Sequence, residues 1–362
     1  MTLKLRLLGV AVFIATALGA RGALASDLAT QLKITIDDGI VAMTVSGVPS
    51  VYLDGTIDTE APRRFAQLVS EGRIPLGSNV FLNSPGGDLE AGLQLGRLFR
   101  ASQLQTWVAV QAGADGAQAS PAFCASACAY AYLGGKYRIA PSSNEHFGVH
   151  QFYMAGSSTG DVSTIEQASA DIVQFLRDMG IDPGLFSVAT AAAPSQVNWL
   201  SGEDMLKYGL SNNGVLPMDV SYKLIKGTPY LLLDQDSHDG EHKITLVCAG
   251  GAVAIGALYL VGHERAQEIV STGAASYLEI DQKPMLPVQA SAVGGPPIAS
   301  AENRAVAFYR EVNVSVLGDL LSAQSIGAYI NDKNGRLRTG FTMNLSGAQE
   351  KLHDLYDNCS GH

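Results

Sequence analysis

The sequence predicts an α/β fold for its first part, followed by a smaller β-rich (α+β) region. Three observations carry that expectation. Short apolar runs at 51–53, 80–82 and 107–110 alternate with helical patterns at 57–70 and 89–102, the rhythm of stacked βαβ units. Past about Tyr222 the helical periodicity gives way to strand-like runs at 230–233, 243–247 and 252–261. Hydrophobic residues make up 47% and charged residues 16% of 362 positions, enough for two packed domains and incompatible with global disorder.

The chain opens with Lys4 and Arg6, an uncharged run over 7–20, and Ala23-Leu24-Ala25. That is a charged segment, an apolar segment and a small-x-small cleavage site, in order. Fourteen uncharged residues fall short of the roughly 20 a spanning helix needs. The expectation is a signal peptide over 1–25, a mature N-terminus at Ser26 and a periplasmic or secreted protein, with an uncleaved membrane anchor as the alternative. Cleavage removes Lys4, Arg6 and Arg21 and no acid, so the net charge goes from -10 to -13. An acidic chain without a basic stripe argues against nucleic acid as a partner. In an oxidising compartment the four cysteines become disulfide candidates. Four allow three pairings; spacing suggests Cys124 with Cys128 and Cys248 with Cys359.

Each element has a local reason. Residues 32–48 alternate apolar and polar around Asp37-Asp38-Gly39, the pattern of a hairpin with an Asp-Gly turn. Residues 57–70 place Phe65, Leu68 and Val69 at helical spacing behind an acidic first turn. The run 80–82 leads into Asn83-Ser84-Pro85-Gly86-Gly87-Asp88 and then an amphipathic helix over 89–102. A small-residue loop between Val110 and Cys124 feeds an apolar helical run over 127–133 that stops at Gly134-Gly135. Residues 164–179 read as a helix stopped by Gly180, and Ser201 with Asp204 three residues on resembles a capping box. The run 246–262 is uncharged, but it is short and carries Gly250, Gly251 and Gly256, so paired strands suit it better than a membrane span. Residues 291–300 read as a loop, 305–316 and 341–345 as strands, and 346–358 as the one helix closing the second domain. The division expected is 26–222 and 223–362.

The chemistry gathers around Ser126. A serine hydroxyl is a weak nucleophile until a base lies within hydrogen-bond reach, and His150 follows 24 residues later on the next element. Ser126 sits where a helix begins, so free backbone N–H groups would favour developing negative charge. The Gly86-Gly87 turn would let a further N–H approach without a side chain in the way. Taken singly, a serine among small residues is packing, a lone histidine is a satisfied polar residue, and Pro-Gly-Gly is a turn. No His or Cys pair completes a metal ligand set near Ser126, and no cofactor is implied. Asp88 and Glu90 read as helix N-terminal charges.

The order of these pieces resembles a family. VYLDGTID, VFLNSPGGDLEAG, CASACAYAYLGGKYRIAP, FGVHQF, FLRDMGID and WLSGEDMLKYGL resemble the Clp protease proteolytic subunit, of the ClpP/crotonase-like superfamily, over about residues 50–215. The resemblance implies a serine peptidase acting on peptide or protein, with Ser126 as nucleophile and His150 as general base. It implies oxyanion donors from Gly86 or Gly87 and from Ala127, and assembly into rings or other oligomers. Three departures matter. The family's catalytic aspartate, four residues before Ser201, falls on Val197, and Asn198 beside it would serve only after a one-residue slip, as a weaker orienter. Loss of correct histidine orientation costs on the order of 10⁴ in rate. A Ser-His dyad, a triad with an acid from elsewhere, and a degraded site acting as a binding or assembly module all stay open. The glycine-rich lead-in to the nucleophile is replaced by Phe123-Cys124-Ala125. The signal peptide and second domain are foreign to cytosolic members, so no ATPase partner is expected.

Overall fold

The computed structural model describes residues 31–111, 121–142, 144–150, 162–191, 196–249, 251–285, 298–300 and 304–360. The expected signal peptide lies outside them, as do most of the loop before Ser126 and most of the 291–300 loop. The described chain is mixed α/β with several sheets.

The first sheet contains β1 (Lys33–Asp37), β2 (Ser50–Asp54), β3 (Asn79–Asn83), β4 (Gln105–Val108) and β6 (Tyr137–Arg138), in the order β1-β2-β3-β4-β6. Its last four strands run parallel, and β1 is antiparallel at the edge. Val51, Leu53, Val80 and Leu82 are buried, as a sheet covered on its faces requires. Helices α2 (Ala61–Ser70) and α3 (Leu89–Ala101) supply the crossovers, with Phe65 and Phe99 rings 4.9 Å apart between them.

The hairpin expected around Asp37-Asp38-Gly39 does not form. The Gly39 N–H donates to Asp37 Oδ1, turning the chain into helix α1 (Ile40–Ser46). The antiparallel partner of β1 is instead β2, in the register Lys33↔Asp54. That pairing packs Ile34 and Ile36 against the core, whereas Ile40 and Val41 stay exposed; local alternation lost to a pairing that buries more apolar surface.

A second, three-stranded sheet consists of β5 (Phe123–Ala125), β7 (His146–Val149) and β8 (Asn198–Leu200). Strands β5 and β7 are parallel, and β8 is antiparallel to β7. Beyond β3, Ser84 bridges to Cys124 in the parallel sense, so the two sheets meet where β3 ends. Helix α4 (Ala127–Leu133) is buried on every side. Helices α5 (Val162–Asp178), α6 (Gly184–Thr190) and α7 (Gly202–Lys207) complete this part. The α7 capping box is present, Ser201 accepting from Asp204 N–H; α6 had no clear periodic signal.

The remainder is antiparallel. Strands β9 (Asp219–Ile225), β10 (Thr228–Ser237), β11 (Gly240–Ala249), β12 (Ala252–Leu260), β15 (Ile298–Ser300) and β16 (Ala305–Asn313) form a six-stranded sheet. Strands β13 (Gly273–Ile280), β14 (Lys283–Pro284), β17 (Ser325–Asp332) and β18 (Arg338–Asn344) form a four-stranded one. The uncharged run 246–262 supplies β11 and β12, paired from Glu241↔Leu260 to Ala249↔Ala252. The expectation of one closing helix is corrected: α8 (His263–Thr272), α9 (Ser315–Ser322) and α10 (Gln349–Ser360) all pack here. Helices α8, α9 and α10 each bury two apolar residues.

Buried apolar side chains fall into two clusters, one from Leu32 to Leu210 and one from Leu231 to Leu355. Cys124 is bonded to Cys128 and Cys248 to Cys359. The second disulfide ties α10 to β11 across the second core.

Candidate active site

Three neighbouring segments end on the same edge. Beyond β3 the chain reaches Ser84 and then Gly86-Gly87; beyond β5 it reaches Ser126; beyond β7 it reaches His150. The ladder holding them is continuous. Ser84 N–H donates to Phe123 O, Ala125 N–H donates to Ser84 O, and Ser126 N–H donates to Gly148 O at 3.2 Å. Parallel strands β5 and β7 pair Ala125 with Gly148, about 5 Å apart. Ser126 and His150 therefore leave the carboxyl ends of adjacent parallel strands, the edge where α/β sites gather.

Ser126 has φ 58 and ψ -124, a conformation costly for a residue with a Cβ. From Cys124 to Gly135 it is the one residue that is not buried. A strained turn thus leaves Ser126 half-buried between buried Ala125 and a buried helix. The Cys124–Cys128 disulfide spans this turn, with Cα atoms 5.2 Å apart. That reach is available because Cys124 lies on β5 and only Cys128 on α4; on one regular helix the same spacing would need distortion.

The glycine turn is seated against Ser126. Gly86 has φ +96, and a Cβ there would lie 2.7 Å from Ser126 Cβ, 2.6 Å from Ala125 O and 2.9 Å from Ala127 N. Ser84, fully buried, accepts the Gly86 N–H on its Oγ at 3.1 Å. Ile57 N–H donates to Gly86 O and Asp88 N–H donates to Ile57 O, so the N–H and C=O of Gly87 between them point away from Ile57. The Gly86 N–H is thereby committed within the turn, and Gly87 is the better placed donor. Asp88 caps α3, accepting from Ala91 N–H at 2.8 Å, and Glu90 faces Arg97 at 3.8 Å. Both are the helix N-terminal charges expected.

The far end of α4 is fixed by two arginines. Arg100 donates to the carbonyls of Gly134 and Gly135. Arg138 donates to Gly135 O, Gly209 O and Leu210 O. Burial, with Arg100 nearby, pushes the Arg138 guanidinium down to about 10. Carbonyl partners at the ends of α4 and α7 thus hold the helix that starts at Ser126.

Behind His150 the register is decisive. Strand β8 pairs Gly148 with Trp199 and Val149 with Asn198; the same register continued one step beyond the strand ends would set Val197 opposite His150. A Cβ on Gly148 would run into Val197 Cγ1 and the Trp199 ring, so Val197 and Trp199 share the face of Gly148 and, by alternation, of His150. Asn198, opposite Val149, belongs to the other face.

Sequence reasoning missed Ser84 and Gly148 as site-builders. Ser84 lay within the quoted Asn83-Ser84-Pro85-Gly86-Gly87 run, where a small polar residue ahead of two glycines is a turn-bonding signal. Gly148 had no signal beyond being a glycine inside a strand run.

No protein-family model matches the chain, and no curated protein sequence does. Among solved structures, a mutant of the 1510-N membrane-bound stomatin-specific protease is 17% identical, over 45% of this chain and 76% of that one, with a TM-score of 0.33. ClpP1 from Listeria monocytogenes is 20% identical, over 45% of this chain and 88% of its own, with a TM-score of 0.34. Likenesses of this size carry no functional weight.

Proposed function

We propose that this chain is an exported serine peptidase of ClpP-like fold that works through a Ser126 acyl-enzyme. The observation carrying the reading is the strained, half-buried Ser126 turn beside the carboxyl end of the strand that delivers His150. Ser126 Oγ attacks the scissile carbonyl carbon while His150 takes its proton. The N–H groups of Gly87 and Ala127 receive the oxyanion. His150 then protonates the leaving amine, and water, activated by the same imidazole, releases the acyl group. Val197 stands where the resemblance puts the acid, so the site turns over slowly unless another group orients the imidazole. Residues 26–222 form the hydrolase domain and 223–362 a β-rich domain in the periplasm, with oligomers but no ATPase partner. Both disulfides suit such a compartment.

One observation favours a second reading. Val197 beside His150 is what a site that has lost catalysis and kept its shape would show, and the protein would then be a binding or assembly module. A fluorophosphonate probe separates the two. Labelling of wild type but not of Ser126→Ala, both folded, supports the peptidase; equal labelling leaves the binding module.

A further inference from the structure

Beside the start of β7, a cleft of about 620 Å³ is lined by His146 and Trp199. Its floor is apolar and set in advance. The Trp199 indole lies over Gly148, where any Cβ would meet ring atoms Cε3 and Cζ3 at 2.7 and 2.8 Å. His146 stands edge-on to it, centroids 5.9 Å apart at 65°. Pro141 and Leu206 line the cleft beside them. Trp199 is held against the sheet and still 51% exposed, an unusual state for an indole unless something covers it. The charged side chains lining the cleft are Glu145 and Glu203, and among the described residues no lysine or arginine lines it. Ser142 fixes Glu145, donating to Oε2 from both its N–H and its hydroxyl.

We propose that this cleft is a subsite for a basic side chain, lysine or arginine, of the peptide substrate; the proposal rests on the Ser126–His150 peptidase reading. An indole face attracts a cation. The alkyl stem of either basic side chain covers apolar walls such as Pro141 and Leu206 while its head stays with the carboxylates. An acidic side chain would meet only like charge. Position follows from the register. Trp199 is opposite Gly148, two residues before His150, and His146 is four before it. Strand β7 is paired on both edges, so the peptide would lie across the face that His146 and Trp199 share; at about 3.3 Å per residue, an extended peptide there would place the basic residue two to four positions from the scissile bond.

The test separates the cleft from the chemistry. Full-length Ser126→Ala protein is titrated with two dye-labelled peptides, identical except for arginine or its neutral isostere citrulline, and anisotropy gives each affinity. The arginine peptide is expected to bind at least about ten-fold tighter, and Glu203→Gln or Trp199→Leu in the same background should erase the preference. Glu203→Gln alters charge and not volume on an exposed helix turn, so it keeps the test valid should Trp199→Leu misfold. Equal affinity for the two peptides overturns the subsite. If wild type prefers the arginine peptide but takes no fluorophosphonate label, the peptidase reading fails and the cleft stands. If it labels but shows no preference, the reverse holds.

Discussion

Gly86→Ala tests the seating of the glycine turn against Ser126 most directly. Two costs add. At φ +96 a Cβ strains the backbone by about 1–2 kcal/mol. The same Cβ would lie within 2.6–2.9 Å of Ala125 O, Ser126 Cβ and Ala127 N. None of those atoms is the end of a flexible side chain, so overpacking costs about 1–3 kcal/mol more. The sum is about 2–5 kcal/mol. Gly77→Ala is the control: its φ is +80, with nothing within 4 Å of the added Cβ, so it carries the backbone cost alone, about 1–2 kcal/mol. Denaturant unfolding of both variants isolates the steric part as their difference. Relief of the clash would move the turn away from the nucleophile, and a displacement of about 1 Å lowers rate by roughly 10². Fluorophosphonate labelling of Gly86→Ala, at a temperature where it is folded, should slow by that factor while Gly77→Ala labels like wild type. If the two variants are equally stable and label equally, Gly86 does not hold the turn against Ser126, and the oxyanion assignment falls with it.

The remaining predictions probe the acid position, the cross-links and a pH dependence. Val197→Asp places a carboxylate where the resemblance puts the acid and should raise the labelling rate at least ten-fold, out of the roughly 10⁴ such an acid can contribute; an unchanged rate would mean that Val197 does not stand behind the imidazole. By loop length, removing Cys248–Cys359, separated by 111 residues, should cost about 5 kcal/mol, and removing Cys124–Cys128 only about 2. Urea unfolding of the two alanine pairs ranks them, and the reverse order would refute the loop-length account. Hydrogen bonds from Arg64 hold the Asp58 carboxyl well below the usual carboxylate range. Its folded-state proton affinity is depressed, so its stabilisation is full above about pH 4 and fades as pH falls below that. Asp58→Asn should cost about 1–2 kcal/mol at pH 7 and flatten the acid limb of the stability curve; an acid limb identical to wild type would remove Asp58 from the account.

Local pattern and tertiary geometry contributed at different distances. The β2-α2-β3-α3-β4 rhythm was legible because each buried strand is a short apolar run and each helix has an amphipathic stripe. The α7 capping box and the Gly134 stop of α4 were legible for the same reason, being chemistry within four residues. The hairpin at Asp37-Asp38-Gly39 misled because strand alternation says nothing about which strand is the partner. Helix α9 was masked by the alternating run 305–316, which overlaps its first residues, Ser315 and Val316.

For Ser126 and its surroundings, the sequence by itself determined the inventory: one hydroxyl among small residues, a glycine pair, a histidine 24 residues on, and a valine in place of an acid. Only the tertiary structure decided what these residues are to one another. Parallel pairing of β5 with β7 carries His150 to the strand beside Ser126. The antiparallel register of β8 turns Val197 and Trp199 toward that face and Asn198 away. The physical reason is that strand register has a period of two and is set by long-range burial. A one-residue choice, which no local pattern encodes, therefore decides which side chains share a face.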